Sequence, residues 1–213
     1  MSRASRTVGV LRVVTSDDEE FLGTHGRILE AELGITTVTR AIPDQPRGVH
    51  DDASFAAASS KIPVLARELN DQVDALLISC AADPGLEAAR RLCSVPVTGA
   101  GSAAAAVALA LGTRIGVLDL TPQTPVSVTS VLGDRLIASL QPEGVHETAD
   151  LLTASGFEAC LRGGDELVAA GADVVMLACT GMTTIGLAEP LRERLGLPVV
   201  DAVRTGGLLA ARF

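Results

Sequence analysis

Asp74-Ala-Leu-Leu-Ile-Ser-Cys80 and Asp173-Val-Val-Met-Leu-Ala-Cys179 are two versions of one phrase, 99 residues apart at both ends (74 to 173, 80 to 179). Each opens on an acid, runs through apolar residues and stops at a cysteine. Short apolar runs without alternation are the pattern of strands in a parallel sheet covered on both faces. Each cysteine thus stands at the carboxyl end of a strand, where open α/β sheets bind ligands. The repetition extends outward. Gly9-Val-Leu and Gly116-Val-Leu sit in the opening strand of each half, and each strand runs on to a threonine, Thr15 or Thr121. Val95-Pro-Val-Thr and Leu197-Pro-Val-Val each follow the cysteine strand and its helix. The expected fold is α/β: two similar lobes with mainly parallel sheets, related by a pseudo-twofold, whose matched thiols can face one cleft from opposite sides. The lobes are expected at 1–99 and 100–201, with 202–213 packing back on the first.

Strands are expected at 8–14, 35–40, 75–79, 95–98, 114–119, 136–139, 174–178 and 199–201. Helices are expected at 17–33, 54–70, 86–92, 102–111, 126–132, 149–170, 189–195 and 202–213. Pro63 should bend or restart its helix, and the 149–170 helix should break near Gly156. Residues 42–52 hold Pro43, Pro46 and Gly48 and read as a loop, as does Thr180-Gly-Met-Thr-Thr184.

Of 213 residues 47% are apolar, yet no run approaches the ~20 that a membrane span needs. The basic opening Met1-Ser-Arg-Ala-Ser-Arg6 leads into a segment carrying Arg12 with no small-residue cleavage site, which reads as a strand rather than a signal peptide. A cytoplasmic location is the expectation. The net charge of −9, the absence of Trp and Tyr and the lack of a Lys/Arg cluster argue against nucleic acid as a partner. The four cysteines form no C-x-x-C, and the three histidines are scattered. Neither a zinc knuckle nor a thioredoxin motif is present, and no metal site is expected.

Free cysteine usually acts as a small buried hydrophobe, and Cys93 and Cys160 are read that way. Cys80 and Cys179 differ, because they occupy matched strand ends before loops that open helices: Ala81-Ala-Asp-Pro-Gly85 and Thr180-Gly-Met-Thr-Thr184. Backbone N–H groups at a helix start stabilise a thiolate and should lower its pKa. They can also hold an anionic substrate group. Two facing thiols suit inversion of a stereocentre beside a carbonyl: one removes the proton and the other returns one. Such chemistry needs no cofactor.

At these residues the chain resembles the aspartate/glutamate/hydantoin racemase superfamily. The resemblance rests on Ser79-Cys-Ala-Ala-Asp-Pro-Gly-Leu86, Pro96-Val-Thr-Gly-Ala-Gly-Ser-Ala-Ala104, Leu177-Ala-Cys-Thr-Gly-Met182 and Pro198-Val-Val-Asp201, and is nearest in motif to the hydantoin racemase branch. It implies two Rossmann-like lobes with the active site in the cleft between them, catalytic Cys80 and Cys179, no cofactor, a small and anionic substrate (a hydantoin-like cyclic amide or an acidic amino acid), and a homo-oligomer, dimeric or larger. Hydantoin racemases usually carry Asn-Pro-Asn-Thr after the first strand, where this chain has Val14-Thr-Ser-Asp-Asp18. Amino-acid racemases usually continue the first cysteine as Cys-Asn-Thr, where this chain has Cys80-Ala-Ala. Arylmalonate decarboxylases of the superfamily keep one thiol of the two. That type of activity and a maleate cis-trans isomerase stand as alternatives.

Candidate substrate contacts are Thr15, Ser16, Ala81, Thr121, Thr180 and Gly181, with N-capping or turn stabilisation as the competing role for the hydroxyls. Asp83, before Pro84, reads as a helix cap. Gln45, Arg47 and His50 can reach a substrate only if their loop folds over the cleft. A rival motif is Gly99-Ala-Gly-Ser-Ala-Ala104. With Asp119 ending the next strand, Gly99, Gly101 and Asp119 have the spacing of an NAD(P) site. The strand before the motif is short and contains Pro96, and the glycines also suit the crossing between lobes.

Overall fold

The computed structural model describes residues 6–213; the basic opening, Met1–Ser5, lies outside the described residues. The chain runs β1 (Thr7–Arg12), α1 (Glu19–Leu33), β2 (Thr36–Ala41), α2 (Asp52–Leu69), β3 (Ala75–Ser79), α3 (Leu86–Leu92), β4 (Val97–Gly99) and α4 (Ala100–Leu111). It continues with β5 (Ile115–Leu118), α5 (Val126–Leu132), β6 (Leu136–Leu140), α6 (Thr148–Leu151), α7 (Ala154–Ala169), β7 (Val174–Leu177), α8 (Thr180–Thr184), α9 (Ala188–Leu195), β8 (Val199–Asp201) and α10 (Ala202–Arg212). All pairings are parallel. The sheets have the orders β2-β1-β3-β4 and β6-β5-β7-β8, so the second repeats the topology of the first.

The repeated acids fix the start of this pattern. Asp74 accepts from the Thr7 N–H at 2.8 Å, and Asp173 accepts from the Thr113 and Arg114 N–H groups at 3.1 and 2.9 Å. Each therefore pins the strand beside the cysteine strand. β3 and β7 are buried at every residue, which is why their sequences do not alternate.

Helices α4 and α10 lie between the two sheets and pack on each other. They share a core with Val8, Val10, Ala75 and Leu77 of one sheet and Ile115, Val117, Val174 and Met176 of the other. Each lobe has a second core on its outer face, one around Leu11, Ile62, Leu76 and Ile78 and the other around Leu118, Leu167, Val175 and Leu191.

Three local expectations are corrected. α2 runs unbroken through Pro63; the Ser59 carbonyl that loses its i+4 donor there lies close to Gly85, in the loop after Cys80. The break in the 149–170 stretch falls at Leu152–Thr153, because the Thr153 hydroxyl accepts from the Gly156 N–H at 3.0 Å and places Gly156 in the first turn of α7. Thr180–Thr184 is a helical turn, with Cys179 itself in the N-cap position.

Candidate active site

Cys80 follows β3 and Cys179 follows β7, and both line one cleft of about 100 Å3 between the lobes. Each water needs about 10–15 Å3 of such space, so the cleft has room for several and suits a small ring or a compact acid. The cleft opens into a wider groove of about 470 Å3 walled by Val49, His50, Phe55, Pro122, Pro125 and Val126. Both thiols are partly buried, and the charge of Cys179 bears on Cys80.

The backbone around each sulfur matches the expectation in kind. The Ala82 N–H is directed at Cys80, and the Gly181 and Met182 N–H groups are directed at Cys179; all three favour the thiolate. The expected lowering of the thiol pKa values is nonetheless reversed. Burial outweighs these donors and pushes both thiols up to about 12, helped by the nearby Asp119 carboxylate. Cys160 is fully buried, and desolvation pushes its thiol up to about 11; Cys93 lies against the outer core of the first lobe.

Of the proposed substrate contacts, Ala81, Thr121, Thr180 and Gly181 line the cleft, and Thr15 and Ser16 do not. The Thr15 hydroxyl donates to the Ile42 carbonyl at 2.6 Å and accepts from the Gln45 N–H at 2.8 Å, so it anchors the 42–51 loop. Ser16 Oγ accepts from the Asp18 N–H at 3.1 Å in the turn before α1. Thr121 Oγ1 donates to the Gln123 carbonyl at 2.9 Å, and Thr180 Oγ1 reaches the Ser79 carbonyl at 3.4 Å across the cleft.

The Gly-x-Gly stretch is explained from within the chain. Asp83, held at a φ of 50°, places its carboxylate at the N-terminus of α4 and accepts from the Gly101 and Ser102 N–H groups at 2.8 Å each. It caps α4 rather than α3. A Cβ at Gly99 would overlap this carboxylate, and one at Gly101 would overlap the Ala81 carbonyl oxygen. The donors that a nucleotide pyrophosphate would use are therefore already taken. Ser127 of the other lobe donates to the same Ala81 carbonyl at 2.8 Å.

Three further residues complete the site. Arg12, at the end of β1, is 3% exposed and lies with its guanidinium 5.2 Å from the Phe21 ring centroid. Burial lowers its pKa to about 10, against the pull of Cys179 and Cys80, so it stays charged at neutral pH. Its positive charge works against the desolvation that holds the thiols neutral. Asp119, after β5, is 2% exposed, and burial pushes its carboxyl up to about 6 although its Oδ1 accepts from the Leu120 and Thr121 N–H groups. His25 is fully buried. Its Nδ1 lies 2.7 Å from Ser79 Oγ and its Nε2 3.0 Å from Thr184 Oγ1, so one ring joins the residue before Cys80 to the turn that begins at Cys179. Desolvation, then the Arg12 charge, holds it well below the usual histidine range and neutral.

One wall of the cleft comes from a loop with a counterpart in the other lobe, a second repeat that sequence reading passed over: Gln45-Pro-Arg-Gly-Val-His50, two of whose residues line the cleft, and Gln141-Pro-Glu-Gly-Val-His146, which does not line it. Gly48 and Gly144 both take positive φ, 64° and 74°. Each glutamine amide fastens its own loop, Gln45 to the Gly48 carbonyl at 3.1 Å and Gln141 to the Val145 carbonyl at 2.9 Å. Gly48 and Val49 line the cleft, whereas Gln45, Arg47 and His50 do not. Arg47 instead crosses to Glu147 of the other lobe at 3.1 Å. Among the described residues, no group of three or more His, Cys, Asp or Glu is placed to hold a metal ion, and no helix is long and apolar enough to cross a membrane.

The sequence and the fold both have known relatives. The chain is 31% identical over 140 residues to a hydantoin racemase of Rhizobium meliloti, an alignment covering 62% of this chain and 56% of that protein. A second hydantoin racemase, from a Pseudomonas species, is 29% identical over 141 residues, 63% of this chain and 55% of its own. The matched stretch thus spans just over half the length of these relatives. The fold matches that of an allantoin racemase from Klebsiella pneumoniae with a TM-score of 0.85 at 24% identity, over 97% of this chain and 86% of that one. A glutamate racemase from Bacillus anthracis matches at 0.66 and 16% identity, over 98% and 80%. The sequence profile of the Asp/Glu/hydantoin racemase family covers residues 24–207, from within α1 to within α10. This match, over well more than half of its length, shows that the chain belongs to the Asp/Glu/hydantoin racemase family.

Proposed function

We propose that the protein is a cofactor-independent racemase or epimerase that inverts a stereocentre beside a carbonyl, with Cys80 and Cys179 as its acid and base. The observation that carries this reading is the pair of thiols at matched strand ends of opposite lobes, lining one cleft. One sulfur, as thiolate, takes the α-hydrogen as a proton, and the electron pair delocalises into the carbonyl as an enolate. The S–H across the cleft then donates a proton to the other face of the carbon. The thiol and thiolate have exchanged places, and no redox change has occurred. The high thiol pKa values set the difficulty, because a resting thiolate is scarce at neutral pH. The Arg12 guanidinium and the N–H groups of Ala82, Gly181 and Met182 oppose that scarcity.

Enantiopure 5-substituted hydantoins, amino acids and 2-substituted acids incubated in D2O test the reading. The expected result is α-hydrogen exchange with loss of optical activity for one class, abolished by Cys80→Ser and by Cys179→Ser. Near-normal two-way turnover in either variant would rule out a two-thiol mechanism. With no exchange in that panel, conversion of maleate to fumarate or release of CO2 from an arylmalonate would favour the cis-trans isomerase or decarboxylase activities instead.

A further inference from the structure

The repeat that places the thiols also places a charge pair. Gly9-Val-Leu-Arg12 and Gly116-Val-Leu-Asp119 are one segment in its two copies, 107 residues apart (9 to 116, 12 to 119). At the cysteines the two lobes carry the same group. Here they carry opposite ones. Arg12 pairs in register with Ser79, the residue before Cys80, and Asp119 follows Leu118, which pairs with Leu177. Both line the cleft. Each is anchored on one side, Arg12 over Phe21 and Asp119 through Oδ1. Each keeps one buried atom without a partner: Nη1 of Arg12 and Oδ2 of Asp119. They do not pair with each other in the described residues. A buried donor and a buried acceptor with spare capacity are costly unless a partner fills them.

Inversion explains why such a pair belongs here. In a two-thiol inversion the hydrogen alone changes faces, while nitrogen, carbonyl and side chain each keep nearly their own place through a planar carbanion. The like thiols serve the two faces of that plane, and within the plane the nitrogen and the carbonyl need two unlike contacts. Resting on the racemase reading above, we infer that Arg12 and Asp119 are those contacts. Arg12 donates to the oxygen of a carbonyl or carboxylate, and Asp119 accepts from the N–H or ammonium on the neighbouring carbon. The substrate class is then a compound with an N–Cα–C=O unit. Hydantoins and α-amino acids share that unit, whereas 2-hydroxy and 2-aryl acids lack the nitrogen. Deprotonation at Cα sends charge to the oxygen on Arg12, so this contact strengthens as the proton leaves.

The test compares 5-methylhydantoin, its N1-methyl derivative and alanine as probes, following α-hydrogen exchange in D2O by proton NMR. In the unmodified protein, blocking N1–H should slow exchange at least ~10-fold, as expected for loss of a hydrogen bond to a charged acceptor. Asp119→Asn keeps Oδ1 as acceptor and puts a donor at the other position, so the penalty should collapse to less than about two-fold. Exchange of alanine would identify the free amino acid as the source of the unit, and exchange of the hydantoin alone the cyclic amide. Equal rates for the two hydantoins in the unmodified protein overturn the clamp without any variant. An undiminished penalty in Asp119→Asn does the same. Exchange of none of the probes, with 2-hydroxy acids turned over instead, removes the clamp and leaves the two-thiol mechanism standing. Exchange of no compound at all removes both.

Discussion

Replacing Gly101 by alanine sets two effects of opposite sign against each other. Gly101 is the second residue of α4, and alanine is favoured over glycine within a helix by about 0.8–1.0 kcal/mol. Propensity alone makes Gly101→Ala stabilising. The packing says otherwise. The added Cβ would overlap the Ala81 carbonyl oxygen and stand 2.7 Å from the carbonyl carbon. That contact is backbone, held by the Ser127 hydroxyl and flanked by the Asp83 bonds to α4, so it cannot swing aside as the tip of a side chain can. Reaching ordinary carbon–carbon contact requires the loop to retreat by on the order of 1 Å. Overpacking of this kind costs about 1–3 kcal/mol, and loss of the Ser127 bond adds about 1. Set against the propensity gain, the net loss is about 1–3 kcal/mol. The melting temperature should fall by roughly 3–10 °C for a chain of this size. Urea unfolding should show a lower midpoint with an unchanged slope. Cys80 precedes Ala81, so the same displacement should cut α-hydrogen exchange by about 100-fold. A Gly101→Ala protein as stable as its parent, or more so, would refute the reasoning, because the glycine would then not be there for the carbonyl.

Iodoacetamide should modify Cys80 and Cys179 slowly at pH 7.5, with rates still rising beyond pH 9, because burial pushes both thiols up to about 12; peptide mass spectrometry showing an inflection below pH 8 at either would mean that the N–H donors and Arg12 outweigh desolvation. Asp119 has a folded pKa of about 6 against 3.8, so the folded state binds its proton more tightly and loses stability as pH rises from about 4 to 6. Asp119→Asn should therefore gain on the parent across that window, by at most ~3 kcal/mol above it; urea unfolding at pH 4.5 and 7.5 that showed the variant losing ground would reverse the sign. Cys160→Ala should keep full exchange activity and cost about 1 kcal/mol of stability, since Cys160 is buried in the outer core of its lobe; loss of activity in a folded variant would contradict a packing role. Breaking the exposed Arg47–Glu147 pair by Glu147→Gln should change stability by less than about 1 kcal/mol, and thermal melting checks it.

Much of this molecule can be read from its sequence because its central strands are uninterrupted apolar runs. Ala75–Ser79, Leu86–Leu92, Val126–Leu132 and Val199–Asp201 fall where their residues put them. The thiol pair is legible for the same reason, as the end of a run that occurs twice. Arg12 was hidden by its surroundings. Inside a strand it reads as an interruption, and only the fold shows that it lines a cleft and keeps a buried nitrogen without a partner. Thr180–Thr184 has Met182 as its one good helix former among threonines and a glycine, so its turn depends on the strand end before it more than on propensity. The Gln-Pro-x-Gly-Val-His repeat was visible in the letters. Its spacing (45 to 141) differs from that of the cysteines (80 to 179), and in proline- and glycine-bearing loops it carries no periodic signal.

The layer formed by α4 and α10 is packed from both sides, by Leu77 and Val10 above and by Val117 and Met176 below. A jaw that closes by hinging needs little packed across its joint, and here the joint is the main core. The gap between Cys80 and Cys179 is thus a built-in dimension, like a caliper locked at one setting. If the proposed racemase activity holds, adjustment to substrates of different girth is left to what stands outside that gap. Enlarging their range would then mean redesigning Phe55, Pro122 and Val126 along the outer groove, while leaving the alanines of α4 alone.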